Sequence, residues 1–171
     1  MNASAGDERR QRFDALVAVC YEDMSRYATW LCRDRAIADD VVQEALLRAW
    51  KSLDSLRDDA AAKPWLLTIV RRENARYFER RRLDTVDIDE LGAAQAAELA
   101  HAPDEELLGL REAMLRLEDD YREPLVLQVL VGFSTREIAA HMGLSQGAVL
   151  TRLHRARQKL KEDMDSRDTG N

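Results

Sequence analysis

The chain has 171 residues and a mass of 19.5 kDa, enough for one domain or two small ones. Hydrophobic residues make up 46% and charged residues 34%, with only seven Gly and three Pro, so a folded and mostly helical protein is expected. Taken alone, a net charge of -6 argues against a nucleic-acid binder, because the phosphate backbone repels a net anion. No apolar run approaches the roughly 18 residues of a membrane span, and Met1 to Arg12 lacks the apolar core of a signal peptide, which predicts a cytoplasmic protein.

The first predicted helix runs from about Arg12 to Cys32, where Phe13, Leu16, Val17, Cys20, Met24, Tyr27 and Leu31 recur at three- and four-residue steps. Asp34 is a suitable N-cap for a second helix, which carries Ile37, Val41, Ala45, Ala49 and Leu53 on one stripe, widened by Val42 and Leu46. Its other face shows Asp39, Asp40, Gln43 and Glu44. Ser55 to Lys63 is polar and reads as a loop, and Pro64 suits the first turn of a helix that begins apolar at Trp65 and ends basic near Arg82. From Leu83 to Pro103 apolar periodicity stops, and the Ala-rich, acidic composition predicts a flexible linker. Beyond it, Asp104 to Glu118 is amphipathic through Leu107, Leu110, Met114 and Leu117, and Tyr121 to Val131 forms another helix with Pro124 in its first turn.

Ser134-Thr135-Arg136-Glu137 fits a capping box, in which the Ser hydroxyl and Glu carboxylate satisfy backbone donors left open at a helix start. The helix ends at Gly143, suited to the left-handed backbone that closes it. Ser145 then caps a last helix with Val149, Leu153, Ala156 and Leu160 on its buried stripe. Two short helices with a turning glycine between them are a helix-turn-helix, and the second presents its N-terminal side chains to a DNA major groove.

Charge is segregated along the chain. Arg71 to Arg82 holds six arginines, Thr151 to Lys161 holds five Arg or Lys without an acid, and Leu83 to Leu110 holds no Lys or Arg. Two basic surfaces joined by an acidic connector follow, with weak unaided DNA binding because the overall field opposes the patches. Cys20 and Cys32 lack a CxxC or His partner and are read as buried thiols rather than a disulfide or zinc site. No glycine-rich phosphate loop, His cluster or carboxylate pair tied to a base is present, so neither an enzyme nor a cofactor or metal site is expected.

The run Gly132-Phe133-Ser134-Thr135-Arg136-Glu137-Ile138-Ala139, then Gly143-Leu144-Ser145 and Arg152-Leu153-His154-Arg155-Ala156-Arg157-Gln158-Lys159-Leu160, resembles region 4 of extracytoplasmic-function sigma factors of the sigma-70 family. Asp39-Asp40-Val41-Val42-Gln43-Glu44 with Leu47-Arg48-Ala49-Trp50 resembles their region 2.2, and Pro64 to Val70 with Asn74 resembles regions 2.3 and 2.4. The resemblance implies an all-α fold of two small helical domains, region 2 over 1–83 and region 4 over 105–171, joined by a flexible acidic linker over 84–104.

It further implies an alternative sigma factor that brings core RNA polymerase, through its clamp and flap, to promoter DNA. Asp39, Asp40, Val42, Gln43 and Glu44 would meet the polymerase clamp. Trp65, Arg71, Arg72, Asn74 and Arg76 would meet the -10 element, with Trp65 suited equally to the core. Gln146, Gly147, Ala148, Leu150, Thr151, Arg152, His154, Arg155 and Arg157 would meet the -35 element. Many relatives carry Thr and Lys where this chain has Ala148 and Leu150, and the exposed Leu150 suits a thymine methyl group. Control by a cognate anti-sigma factor, soluble or membrane-bound, is implied, without insertion of this chain into a membrane. Two other readings compete: a stand-alone helix-turn-helix regulator, and a sigma mimic that sequesters an anti-sigma factor, against which the retained basic patches argue.

Overall fold

The computed structural model describes residues 3–84 and 105–168, which fold into seven α-helices and two single 3-10 turns with no strand among them. The expected flexible linker over 84–104 lies outside the described residues apart from Asp84, the last residue of the third helix. Helices α1 (Ala3–Cys32), α2 (Arg35–Ser52) and α3 (Ala62–Asp84) form an N-terminal bundle around Met24, Tyr27, Val41, Val42, Ala45, Leu66, Leu67 and Val70, each at most 2% exposed. Helices α4 (Glu105–Arg116), α5 (Asp119–Val129), α6 (Thr135–Met142) and α7 (Gln146–Asp168) enclose Val126, Leu127, Ile138, Val149 and Leu153. None of the described helices is long and apolar enough to cross a membrane.

Several expected ends shift, each for a local reason. α1 begins well before Arg12, and its early turns are held by polar anchors rather than an apolar stripe. Arg9 lies 4.5 Å over the Trp50 ring and donates to the Trp50 carbonyl, while Arg12 donates to the Leu56 carbonyl and to Asp59. The polar segment before Pro64 contains the two 3-10 turns, Leu53–Ser55 and Asp59–Ala61, pinned by buried Leu53, Leu56 and Ala62. α5 starts at Asp119 because the Glu118 carbonyl takes the amides of both Tyr121 and Arg122. Pro124 therefore sits inside the helix instead of in its first turn, and deprives the Asp120 carbonyl of its usual donor.

The two groups of helices do not stand apart. α1 packs on α5 and α3 on α6, and their apolar residues belong to one continuous cluster. Polar contacts reinforce this closure: Lys63 Nζ donates to the Val131 carbonyl at 2.6 Å, and Arg33 pairs with Asp119 at 2.9 Å.

Candidate nucleic-acid and polymerase interface

The helix-turn-helix forms where its local chemistry places it. Ser134 N donates to Glu137 Oε2 at 2.8 Å and Glu137 N donates to Ser134 Oγ at 3.3 Å, closing the capping box. Ser134 Oγ also donates to Glu137 Oε2 at 2.7 Å, and this bond, with that from the Ser134 amide, holds the Glu137 carboxyl below its ordinary range. Gly143 adopts φ +68°, a left-handed backbone that costs a residue with a Cβ roughly 1–2 kcal/mol. The chain thereby turns within three residues, and Ser145 Oγ accepts the Ala148 amide at 3.1 Å to start α7.

Buried Val149, Leu153 and Ala156 orient α7, and Gln146, Gly147, Leu150, Thr151, His154 and Arg155 occupy its exposed face. The nine residues expected at the -35 element thus divide. Ala148 is half-buried, Arg152 pairs with Asp120 on α5 at 3.0 Å, and Arg157 donates to Gln128. The Arg152–Asp120 surface ion pair holds by only about 0–1 kcal/mol, so phosphate can displace it.

On α2, Asp39, Asp40, Gln43 and Glu44 share an exposed face. Val42 does not belong to it: at 2% exposure it lies inside the bundle, because α1 and α3 cover two sides of α2, and it cannot touch a partner. Leu47 takes its place at 55% exposure. Its spacing four residues after Gln43 and three after Glu44 signalled this position, which the motif resemblance obscured.

α3 separates its expected -10 residues in the same way. Arg72 and Arg76 are exposed, whereas Asn74 Oδ1 faces inward and accepts from the Cys32 thiol at 3.1 Å, and Trp65 is half-buried against the core. Both Cys20 and Cys32 are free buried thiols; burial pushes Cys32 up to about 12. Two residues absent from the sequence expectations stand out. Glu73 is 2% exposed and pairs with Arg48 and Arg76, and Glu123 on α5 receives Arg71 Nε at 2.7 Å and the Tyr27 hydroxyl at 2.6 Å. No periodic signal marks a carboxylate held by an arginine of another helix, as Glu73 is by Arg48 of α2 and Glu123 by Arg71 of α3.

Comparison with known proteins follows the same division of the chain. The family described as Sigma-70 region 2 matches residues 16–83, and that described as Sigma-70, region 4 matches residues 107–160. The ECF RNA polymerase sigma factor EcfG of Rhodopseudomonas palustris is 36% identical over 153 residues, covering 87% of this chain and 82% of the relative. The chain belongs to the extracytoplasmic-function sigma factors. SigL of Mycobacterium tuberculosis, an ECF RNA polymerase sigma factor, is 33% identical over 86% of this sigma factor and 88% of its own length. A probable RNA polymerase sigma factor of Xanthomonas campestris, RfaY, is 34% identical over 95% of the chain, which spans only 42% of that relative.

Two solved structures share the arrangement. CnrH in complex with the cytosolic domain of CnrY is 29% identical with a TM-score of 0.70, covering 96% of this sigma factor and 94% of that chain. RpoE in complex with the anti-sigma factor NepR from Bartonella quintana is 28% identical with a TM-score of 0.66, covering 96% and 98%.

Closure of this sigma factor centres on His141 of α6. Its Nε2 lies 3.0 Å from the Tyr27 hydroxyl and its Nδ1 3.3 Å from Thr68 Oγ1, with the Tyr27 and Phe133 rings edge-on at 5.6 and 5.9 Å. Burial pushes the imidazole down from 6.5 to about 4; Glu123 opposes this and Arg71 adds to it. The closed protein therefore holds His141 neutral, while an opened or unfolded chain takes up a proton near pH 6.5. Between those two values the open state binds more protons, so closure is full above pH 6.5 and weakens as pH falls towards 4. The loss is on the order of 3 kcal/mol. Thermal midpoints measured from pH 7 to pH 4 should fall more steeply for the wild type than for His141→Asn; parallel curves would remove His141 from the contact.

Proposed function

We propose that this protein is an alternative initiation subunit of RNA polymerase, without a catalytic site of its own, whose α2 face binds the clamp and whose α3 and α7 read the -10 and -35 elements. Residues 1–83 form the polymerase and -10 module, residues 105–171 the -35 module, and residues 84–104 tether them. Asp39, Asp40, Gln43, Glu44 and Leu47 supply an acidic rim around an apolar contact, suited to partner arginines. Arg72 and Arg76, with Arg71 once released from Glu123, supply backbone charge at the -10 element. Gln146, Leu150, Thr151, His154 and Arg155 face the -35 major groove, with the flap as a further polymerase contact.

The observation that carries this reading is the capped α6–Gly143–α7 unit, which exposes a basic recognition face in the same chain as an exposed acidic α2 face. Geometry adds a condition. The two elements lie about 25 base pairs apart, roughly 85 Å along B-form DNA. A compact chain of this length has a radius of gyration of only about 16 Å, so the halves must part before both elements are read. RpoE is solved in complex with the anti-sigma factor NepR and CnrH in complex with the cytosolic domain of CnrY, which supports a cognate anti-sigma factor here, soluble or membrane-bound, acting on a cytoplasmic sigma factor.

Run-off transcription with purified core polymerase and a promoter library tests the reading. Selective start sites with two enriched elements are expected, and Arg155→Ala should weaken initiation by about tenfold through the -35 element, equivalent to roughly 1.4 kcal/mol. Start sites no different from those of core polymerase alone would overturn it.

A further inference from the structure

A groove runs between α2 and α3, lined by Arg48, Lys51, Ser52, Ile69, Arg72, Glu73 and Arg76. Four cationic side chains face one carboxylate there, so the groove is electropositive within an anionic protein. Glu73 is the unusual member. Its side chain is 3% exposed, while those of its partners Arg48 and Arg76 are 53% and 48% exposed. Glu73 Oε1 meets Arg48 Nε at 2.8 Å and accepts from Arg76 Nη1. Each guanidinium is thus tethered through one nitrogen, which leaves about four of its five N–H groups for another acceptor.

We propose that this groove is a phosphate slot for the promoter DNA backbone, and that Glu73 is a positioning residue holding Arg48 and Arg76 in it. Phosphodiester oxygens match the planar fork of an oriented guanidinium, and pre-orientation removes part of the entropy that a free arginine loses on binding. Beyond the slot α3 carries a further exposed arginine, Arg80, one turn past Arg76, and a basic track along the helix favours nucleic acid over an acidic peptide as its occupant. This inference rests on the promoter-binding reading above and adds Arg48, Lys51 and Glu73 to it.

Positioning and simple electrostatics predict opposite signs. If Glu73 were only an acid in a basic groove, neutralising it would make the field more positive and tighten DNA binding. As a positioning residue, its loss frees two arginines and weakens binding. The experiment uses holoenzyme assembled from the full chain and measures affinity for its selected promoter between 50 and 200 mM salt, conditions over which roughly each lost phosphate contact lowers the log–log slope by about 0.9. Arg48→Ala and Arg76→Ala are each expected to lower the slope by about one. Glu73→Gln should weaken binding about tenfold and add little in the Arg48→Ala, Arg76→Ala background. Tighter or unchanged binding by Glu73→Gln overturns the positioning role. Where Glu73→Gln lowers the thermal midpoint, the exposed Arg48→Ala variant carries the test: an unchanged slope, or weakened association with core polymerase instead of DNA, overturns the slot. A wild-type holoenzyme without promoter preference would refute the parent reading, whereas promoter preference with unaltered slopes in the arginine variants refutes the slot alone.

Discussion

Glu123→Ala is expected to open the molecule. Glu123 joins three elements, receiving the Tyr27 hydroxyl of α1 and the Arg71 guanidinium of α3 while standing on α5. Tyr27 is 0% exposed, and burial together with Glu123 raises its hydroxyl well above the ordinary value, so it remains a proton donor. Removing the carboxylate loses a hydrogen bond to a charged group, worth about 1.5–3 kcal/mol, and leaves the Tyr27 hydroxyl only the weaker contact with His141 Nε2 at 3.0 Å. Arg71 contributes less, since its side chain is 41% exposed and water replaces its partner. The closed population should fall by roughly 10- to 100-fold relative to the open one.

Spin labels at Val19 and Val129, which are 81% and 64% exposed, report this as a broad distribution at longer distances. Tyr27→Phe keeps the ring beside His141 and should shift the balance by only about 1 kcal/mol. The released Arg71 should also raise DNA affinity in the absence of polymerase. Identical distance distributions in wild type and Glu123→Ala would show that Glu123 does not hold the halves together.

Ile138→Ala should have the larger effect on stability. Ile138 is 0% exposed in the short helix α6, so its truncation removes apolar contact and leaves a cavity, for a loss of about 2–5 kcal/mol. An eight-residue helix has little stability of its own, and the orientation of α7 depends on it. The variant should lose recognition of the -35 element while the α2 face still binds core polymerase, because that face is built on the other bundle. Leu150→Ala is the matched control: at 56% exposure it should change stability by less than about 0.5 kcal/mol. A thermal midpoint for Ile138→Ala equal to that of Leu150→Ala would contradict the packing described for α6.

Much of the architecture follows from interactions that close within a few residues. Asp34 accepts the Ile37 amide, Ser134 and Glu137 satisfy one another, Gly143 turns left-handed and Ser145 takes the Ala148 amide, each as the local chemistry requires. The motifs around them were sufficient for the family, and the alternation of basic and acidic segments was visible without coordinates. What lay beyond the sequence depends on partners distant along it. Arg9 finds Trp50 across 41 positions, Tyr27 finds Glu123 across 96, and Glu73 is buried by an arginine of another helix. Val42 carries the same lesson in reverse, since its motif pointed outward while the packing of α1 and α3 enclosed it. Periodicity identifies which face of a helix is apolar, but only the tertiary arrangement decides which charges are drawn beneath the surface and which face meets the other half. Those outcomes are set by the simultaneous geometry of several helices, and no local pattern records it.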